Sequence, residues 1–190
     1  MKRNKILSLP LLVAVTLMIT SVISAGVAFA TGYFYDFTSG LSPWTGGKDA
    51  NVTAYSLTLS PWDNGTSCPS PVDRFALLTL EGRTDDVSGI WMQAKFPTTS
   101  ASTTSVTVDF DVKDKGGCSN CKALAYIGAS APTSTTQFTS ITTPPSSWKR
   151  YSHSATVFAD DVVYVALGFR LGSSTPLAVG FDCVKITVTP

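Results

Sequence analysis

The 190-residue chain carries one histidine, four cysteines and little charge, with 14 Lys and Arg against 13 Asp and Glu. Each scarcity excludes something. Scattered Lys and Arg at near-neutral balance lack the basic footprint of a nucleic-acid binder. A hydrolase triad would have to be built around His153, but Ser152 and Ser154 flank it on a strand and point to the opposite face. No Gly-x-Ser-x-Gly nucleophile turn occurs. Beyond the N-terminal segment, no second apolar run reaches membrane length. Helical periodicity is almost absent, and neither an internal repeat nor an interdomain linker is visible.

What is present begins with an export signal. Lys2, Arg3 and Lys5 precede an apolar run from Ile6 to Ile23, and Ala28-Phe29-Ala30 supplies a small-residue cleavage site after Ala30. The length of the run keeps a retained membrane anchor as the alternative. Removing residues 1–30 takes away three positive charges, so the remaining chain has a formal charge of about −2. Residues 31–190 then suit one domain able to bury roughly 70% of its unfolded surface.

Cysteine use agrees with export. Cys68, Cys118, Cys121 and Cys183 are an even number in an exported chain, read as two disulfides with three connectivities open. The preferred pairing closes the Gly-Gly-Cys-Ser-Asn-Cys turn through Cys118–Cys121 and ties a long loop to the last strand through Cys68–Cys183. A redox Cys-x-x-Cys and a four-cysteine zinc site are the competing readings. The first lacks a following helix, and the second lacks a second knuckle.

Strands fill the rest of the chain. In 104–114, Val106, Val108, Phe110 and Val112 share one face, while Thr107, Asp109, Asp111 and Lys113 take the other. Similar alternation marks 33–37, 52–59, 75–80, 89–96, 122–129, 148–157, 162–171 and 178–188. About nine strands between segments rich in Gly, Pro, Ser and Thr predict an all-β fold, an antiparallel β-sandwich of jelly-roll type. In the last strand Val179 and Phe181 lie in one phase, and Val184, Ile186 and Val188 in the other. A strict period of two forbids that, so a β-bulge is predicted near Asp182-Cys183.

The segments YDFTSGLSPW, SSWKRYSHSATV, VVYVALGFRL and VGFDCVKITV together resemble extracellular galactose-binding-like jelly-roll modules. That group includes carbohydrate-binding modules of bacterial glycosidases and adhesin domains, and the order of motifs matches over roughly residues 33–188. The resemblance implies a buried core position for Trp44 and Trp148. It also implies a structural calcium ion between the terminal strands, with Asp36 and Asp182 as its carboxylates and carbonyls or water completing the shell. Where the family often has Asp-Asp-Val, this chain has Cys183 in place of the second acid.

For carbohydrate recognition the sequence offers Trp62, in a long stretch without strand pattern, and Trp91 with Gln93 on the polar phase of a strand. Asp109 and Asp111, about 7 Å apart on one strand face, read as a solvated or groove-lining pair rather than as glycosidase carboxylates. The expected function is a secreted, non-catalytic module that binds polysaccharide through exposed aromatics. The alternative is a structural or adhesive surface domain that contacts protein. A glycan-cleaving enzyme is the third and weakest reading.

Overall fold

Alternation carries one set of apolar side chains inward from every long strand, and the inward sets of two sheets meet as a single core. The computed structural model describes residues 30–61, 63, 68, 74–98, 102–118, 120–159, 161–170 and 176–189. Residues 1–29, where the signal is predicted, and Trp62 lie outside the described residues. The strands are β1 (Thr31–Tyr35), β2 (Thr45–Lys48), β3 (Val52–Pro61), β4 (Arg74–Arg83), β5 (Ile90–Pro97), β6 (Ser102–Gly116), β7 (Lys122–Gly128), β8 (Thr139–Thr142), β9 (Lys149–Ala159), β10 (Val162–Arg170) and β11 (Leu177–Thr189). All nine predicted strands are found. The two extra ones, β2 and β8, are four-residue strands of sequence Thr-Gly-Gly-Lys and Thr-Ser-Ile-Thr, too short and too polar to show a period.

The six-stranded sheet runs β3-β4-β11-β6-β9, with β1 added beside β11, and the five-stranded sheet runs β2-β5-β10-β7-β8. Every pairing is antiparallel. Ala76, Leu78 and Leu80 of β4, the Val106-to-Val112 face of β6 and the apolar phase of β11 face Ile90, Met92, Ala94 and Phe96 of β5 and the matching residues of β10. At roughly 25 cal/mol per Å² of apolar surface removed from water, this burial is the main stabilising contribution.

The predicted bulge is present. The β6–β11 register shifts between Asp182 and Lys185, and Cys183 adopts φ 52°, a left-handed conformation unusual for a residue with a Cβ. Its position has a topological cause. Residues 177–181 of β11 pair with β4, whereas 184–188 pair with β1, so the bulge falls where the strand changes partner.

Both expected disulfides form, Cys68–Cys183 and Cys118–Cys121, with Cα–Cα separations of 5.6 and 5.1 Å, and no described cysteine is free. Trp44 is 4% exposed in the core, against Tyr35, Phe37 and Phe96. Trp148 departs from expectation. It is half-buried and lies outside the inter-sheet core, its ring edge-on to Phe75 at 5.2 Å and close over Gly180.

Candidate functional site

Strand β5 turns Trp91, Gln93 and Lys95 away from the core, as their phase requires. What covers that face decides their roles. Gly47 of β2 and Gly168 of β10 stand opposite Trp91 on either side. A Cβ on Gly47 would come within 2.2 Å of Trp91 Nε1, so only glycine lets the indole lie flat across β2. The connection between β7 and β8 then folds back, and Phe138 packs on the indole with ring centroids 5.5 Å apart. Trp91 ends up 2% exposed in a small second cluster with Leu124, Phe138 and Ala166. This corrects the reading of Trp91 as an exposed sugar platform.

Trp91 nevertheless acts on its neighbour. Its Nε1 donates to Gln93 Oε1 at 2.9 Å, which fixes the amide and leaves the Gln93 Nε2 donors to face outward. Gln93 lines a shallow groove of about 160 Å³ with Pro43, Thr45, Lys95 and Tyr164. Tyr164 is the half-buried aromatic of the groove; it sits on β10 directly opposite Lys95. An aromatic body, a planar amide, a hydroxyl and an ammonium are thus gathered on the outer face of the five-stranded sheet.

Asp109 and Asp111 are nowhere near it. They lie on β6, on the outer face of the other sheet, so the sandwich separates them from Gln93. Asp109 is half-buried opposite Ser152 and Lys185. Asp111 is wholly buried, stands opposite Asp182, and accepts from Arg150 Nη1 at 3.3 Å. The burial of Asp111 corrects the reading of Asp109 and Asp111 as a solvated or groove-lining pair, and neither acid lies on the sheet that carries Gln93.

The same region bears on the implied calcium. Asp182 is fully buried and its Oδ1 accepts from the Cys183 amide at 2.7 Å. Asp36 Oδ1 accepts from Thr38 N and Oγ1, closing the turn after β1. Among the described residues the group that gathers three ligating side chains is Cys68, Asp182 and Cys183, and its two sulfurs are joined. The Cys183 carbonyl, which the bulge turns aside, accepts from Arg150 Nη1 at 3.2 Å. A guanidinium thus already stands among the oxygens that an ion would need. The donor set does not fit calcium at Asp36 and Asp182.

At one end of the sandwich a larger cleft of about 300 Å³ opens between the β2–β3 turn, the β4–β5 turn and the segment 133–136. Two carboxylates build its walls. Asp49, 7% exposed, accepts from Gly89 N at 2.7 Å, from Thr135 N at 2.8 Å and from Thr135 Oγ1. Asp85 accepts from Asn51 Nδ2, Val87 N, Ser88 N and Ser88 Oγ. The Asn51 amide, then the Ser88 donors, lower the Asp85 carboxyl to about 2. Arg170, the last residue of β10, lines the cleft with them.

No protein-family model and no curated protein matches this sequence. Solved structures do. A family 61 carbohydrate-binding module in complex with β-1,4-galactotriose is similar over 80% of this chain and 92% of its own, with a TM-score of 0.52 at 10% identity. The K3 cleaved adhesin domain of Lys-gingipain from Porphyromonas gingivalis is similar over 84% of this chain and 99% of its own, at 0.50 and 16%. An arabinose-bound α-L-arabinofuranosidase matches 85% of this chain with 25% of its own length, at 0.53 and 9%. The chain has the β-sandwich fold of carbohydrate-binding and adhesin modules.

At such identities the likeness is one of fold, and the contents of the sandwich's groove and cleft rest on their own chemistry. Tyr164 was legible as an outward residue of an alternating strand, between the inward Val163 and Val165. Asp49, Asp85 and Arg170 carried no such signal, because turns from three distant parts of the sequence bring them together.

Proposed function

We propose that this protein is a secreted, non-catalytic module that binds neutral polysaccharide along the groove of Thr45, Gln93, Lys95 and Tyr164. The observation that carries the reading is the Trp91–Gln93 hydrogen bond. It locks a planar amide beside an aromatic ring on an open sheet face, the pairing that sugar hydroxyls and C–H surfaces need. Two disulfides support export, since such bonds persist in oxidising compartments. Among the described residues no helix is long and apolar enough to cross a membrane.

Calorimetry against a panel of neutral oligosaccharides tests it. Tyr164→Ala is expected to weaken binding by about 1–3 kcal/mol, the scale of an anchor residue, with the fold intact. Trp91→Phe keeps an aromatic ring under Phe138 but releases Gln93, so it should lower affinity less while shifting the Gln93 side-chain amide resonances. Neutral glycans that bind all variants equally, or not at all, would overturn the reading.

A second reading has its own observation. Phe34 and Phe158, 56% and 63% exposed, both point outward from the six-stranded sheet. Exposed rings of this kind suit contact with a protein surface. Under that adhesive reading Tyr164→Ala changes nothing, and Phe34→Ser with Phe158→Ser reduces attachment to a protein-coated surface.

A further inference from the structure

The end cleft holds a cation that the protein itself does not satisfy. Arg170 Nε is buried and meets no acceptor among the described residues. Arginine is donor-only and stays charged, so a buried guanidinium N–H without an acceptor is costly. The two acids of the cleft do not relieve it. Asp49 and Asp85 turn their oxygens to backbone amides, hydroxyls and the Asn51 amide, and neither forms an ion pair with Arg170.

Other polar groups of the cleft have capacity left over. Ser134 Oγ accepts from Thr136 N and Thr136 Oγ1, which leaves its own proton to donate. Asn51 gives its amide nitrogen to Asp85 and keeps its carbonyl oxygen as an acceptor. The unused set is therefore a guanidinium fork, one hydroxyl donor and one carbonyl acceptor around about 300 Å³ of space. That is room for one sugar ring.

We propose that this cleft binds the carboxylate of an acidic sugar, a uronic acid, with Arg170 pairing the carboxylate. The fork suits a bidentate carboxylate, while Ser134 and Asn51 serve the ring hydroxyls. Asp49 and Asp85, by tying the three connections together, hold this geometry before the ligand arrives. The site is separate from the groove on β5 and β10, and it deepens the glycan-binding reading, on which it rests, by a second, charge-selective contact.

The test is a titration of the isotope-labelled protein with tri-galacturonic acid and with its methyl ester, followed by backbone amide shifts. The acid is expected to bind at least tenfold more tightly than the ester, to move Ser88, Gly89 and Thr135, and to lose that advantage in Arg170→Gln. Equal binding of acid and ester by the unaltered protein overturns the inference, even where Arg170→Gln fails to fold. Shifts confined to Gln93 and Lys95 overturn it as well, and leave the groove reading standing. Acid-selective shifts in the cleft, with no neutral sugar bound anywhere, support the cleft and overturn the groove.

Discussion

Asp85 shows how one carboxylate organises a loop. Four donors converge on it, and its carboxyl lies at about 2 rather than at the usual 3.8. Because the folded value is depressed, the unfolded chain takes up the proton first as the pH falls. The stabilisation is complete above about pH 4 and disappears as the pH approaches 2. Asp63 contributes in the same direction, because Lys113 and Lys115 lower its carboxyl. His153 works in another. Burial lowers its pKa, so its stabilising effect is lost as the pH drops through and below about 6.5. Denaturant melts between pH 5 and pH 2 should therefore fall more steeply for the wild type than for Asp85→Asn. Parallel curves would remove Asp85 from the account.

At the scale of elements, the two disulfides are unequal. Cys68–Cys183 spans 115 residues and pins the loop after β3 to the bulge, whereas Cys118–Cys121 spans three within one turn. Loop-closure entropy in the unfolded chain grows with span, so the long bridge contributes more. Replacing Cys68 and Cys183 by alanine is expected to cost about 2–5 kcal/mol in urea unfolding, and replacing Cys118 and Cys121 roughly 1–2 kcal/mol. Equal losses would show that local geometry, not chain entropy, sets the contribution. The loop has a second anchor in Asp63, which accepts from both Lys113 and Lys115 at 2.7 Å. Lys115 in turn lies 4.9 Å from the Phe75 ring centroid. Asp63 and Cys68 are thus fixed to the six-stranded sheet at two points, one on β6 and one on β11.

For the whole molecule, the charge buried on that sheet matters most. Asp111 and Asp182 stand opposite each other, both fully buried, and Arg150 reaches Asp111 and the Cys183 carbonyl together. A buried carboxylate that loses its cation is strongly destabilising. Arg150→Leu should therefore lower the melting temperature by several degrees. In the wild type the melting temperature should be the same in chelator as in millimolar calcium. A rise with calcium would place an ion where the guanidinium argument puts none.

Nine strands, the bulge at Asp182-Cys183 and the presence of two disulfides were legible in the sequence, whereas the pairing was a preference among three connectivities. The strands and the bulge follow from local rules, a period of two and a phase slip that a strand cannot absorb, and the even cysteine count implies two bridges. Even the outward phase of Trp91, Gln93, Asp109 and Asp111 was correct. What outward meant was decided elsewhere. Asp111 was buried beside Asp182 and Arg150, Trp91 went under Phe138 from 47 residues further along the chain, and Gln93 remained at the surface beside Tyr164. Alternation assigns a side chain to a face of its own sheet. It carries no record of which of the two sheets the strand joins, or of which loop later closes over it, because those contacts are made by residues far apart in the chain.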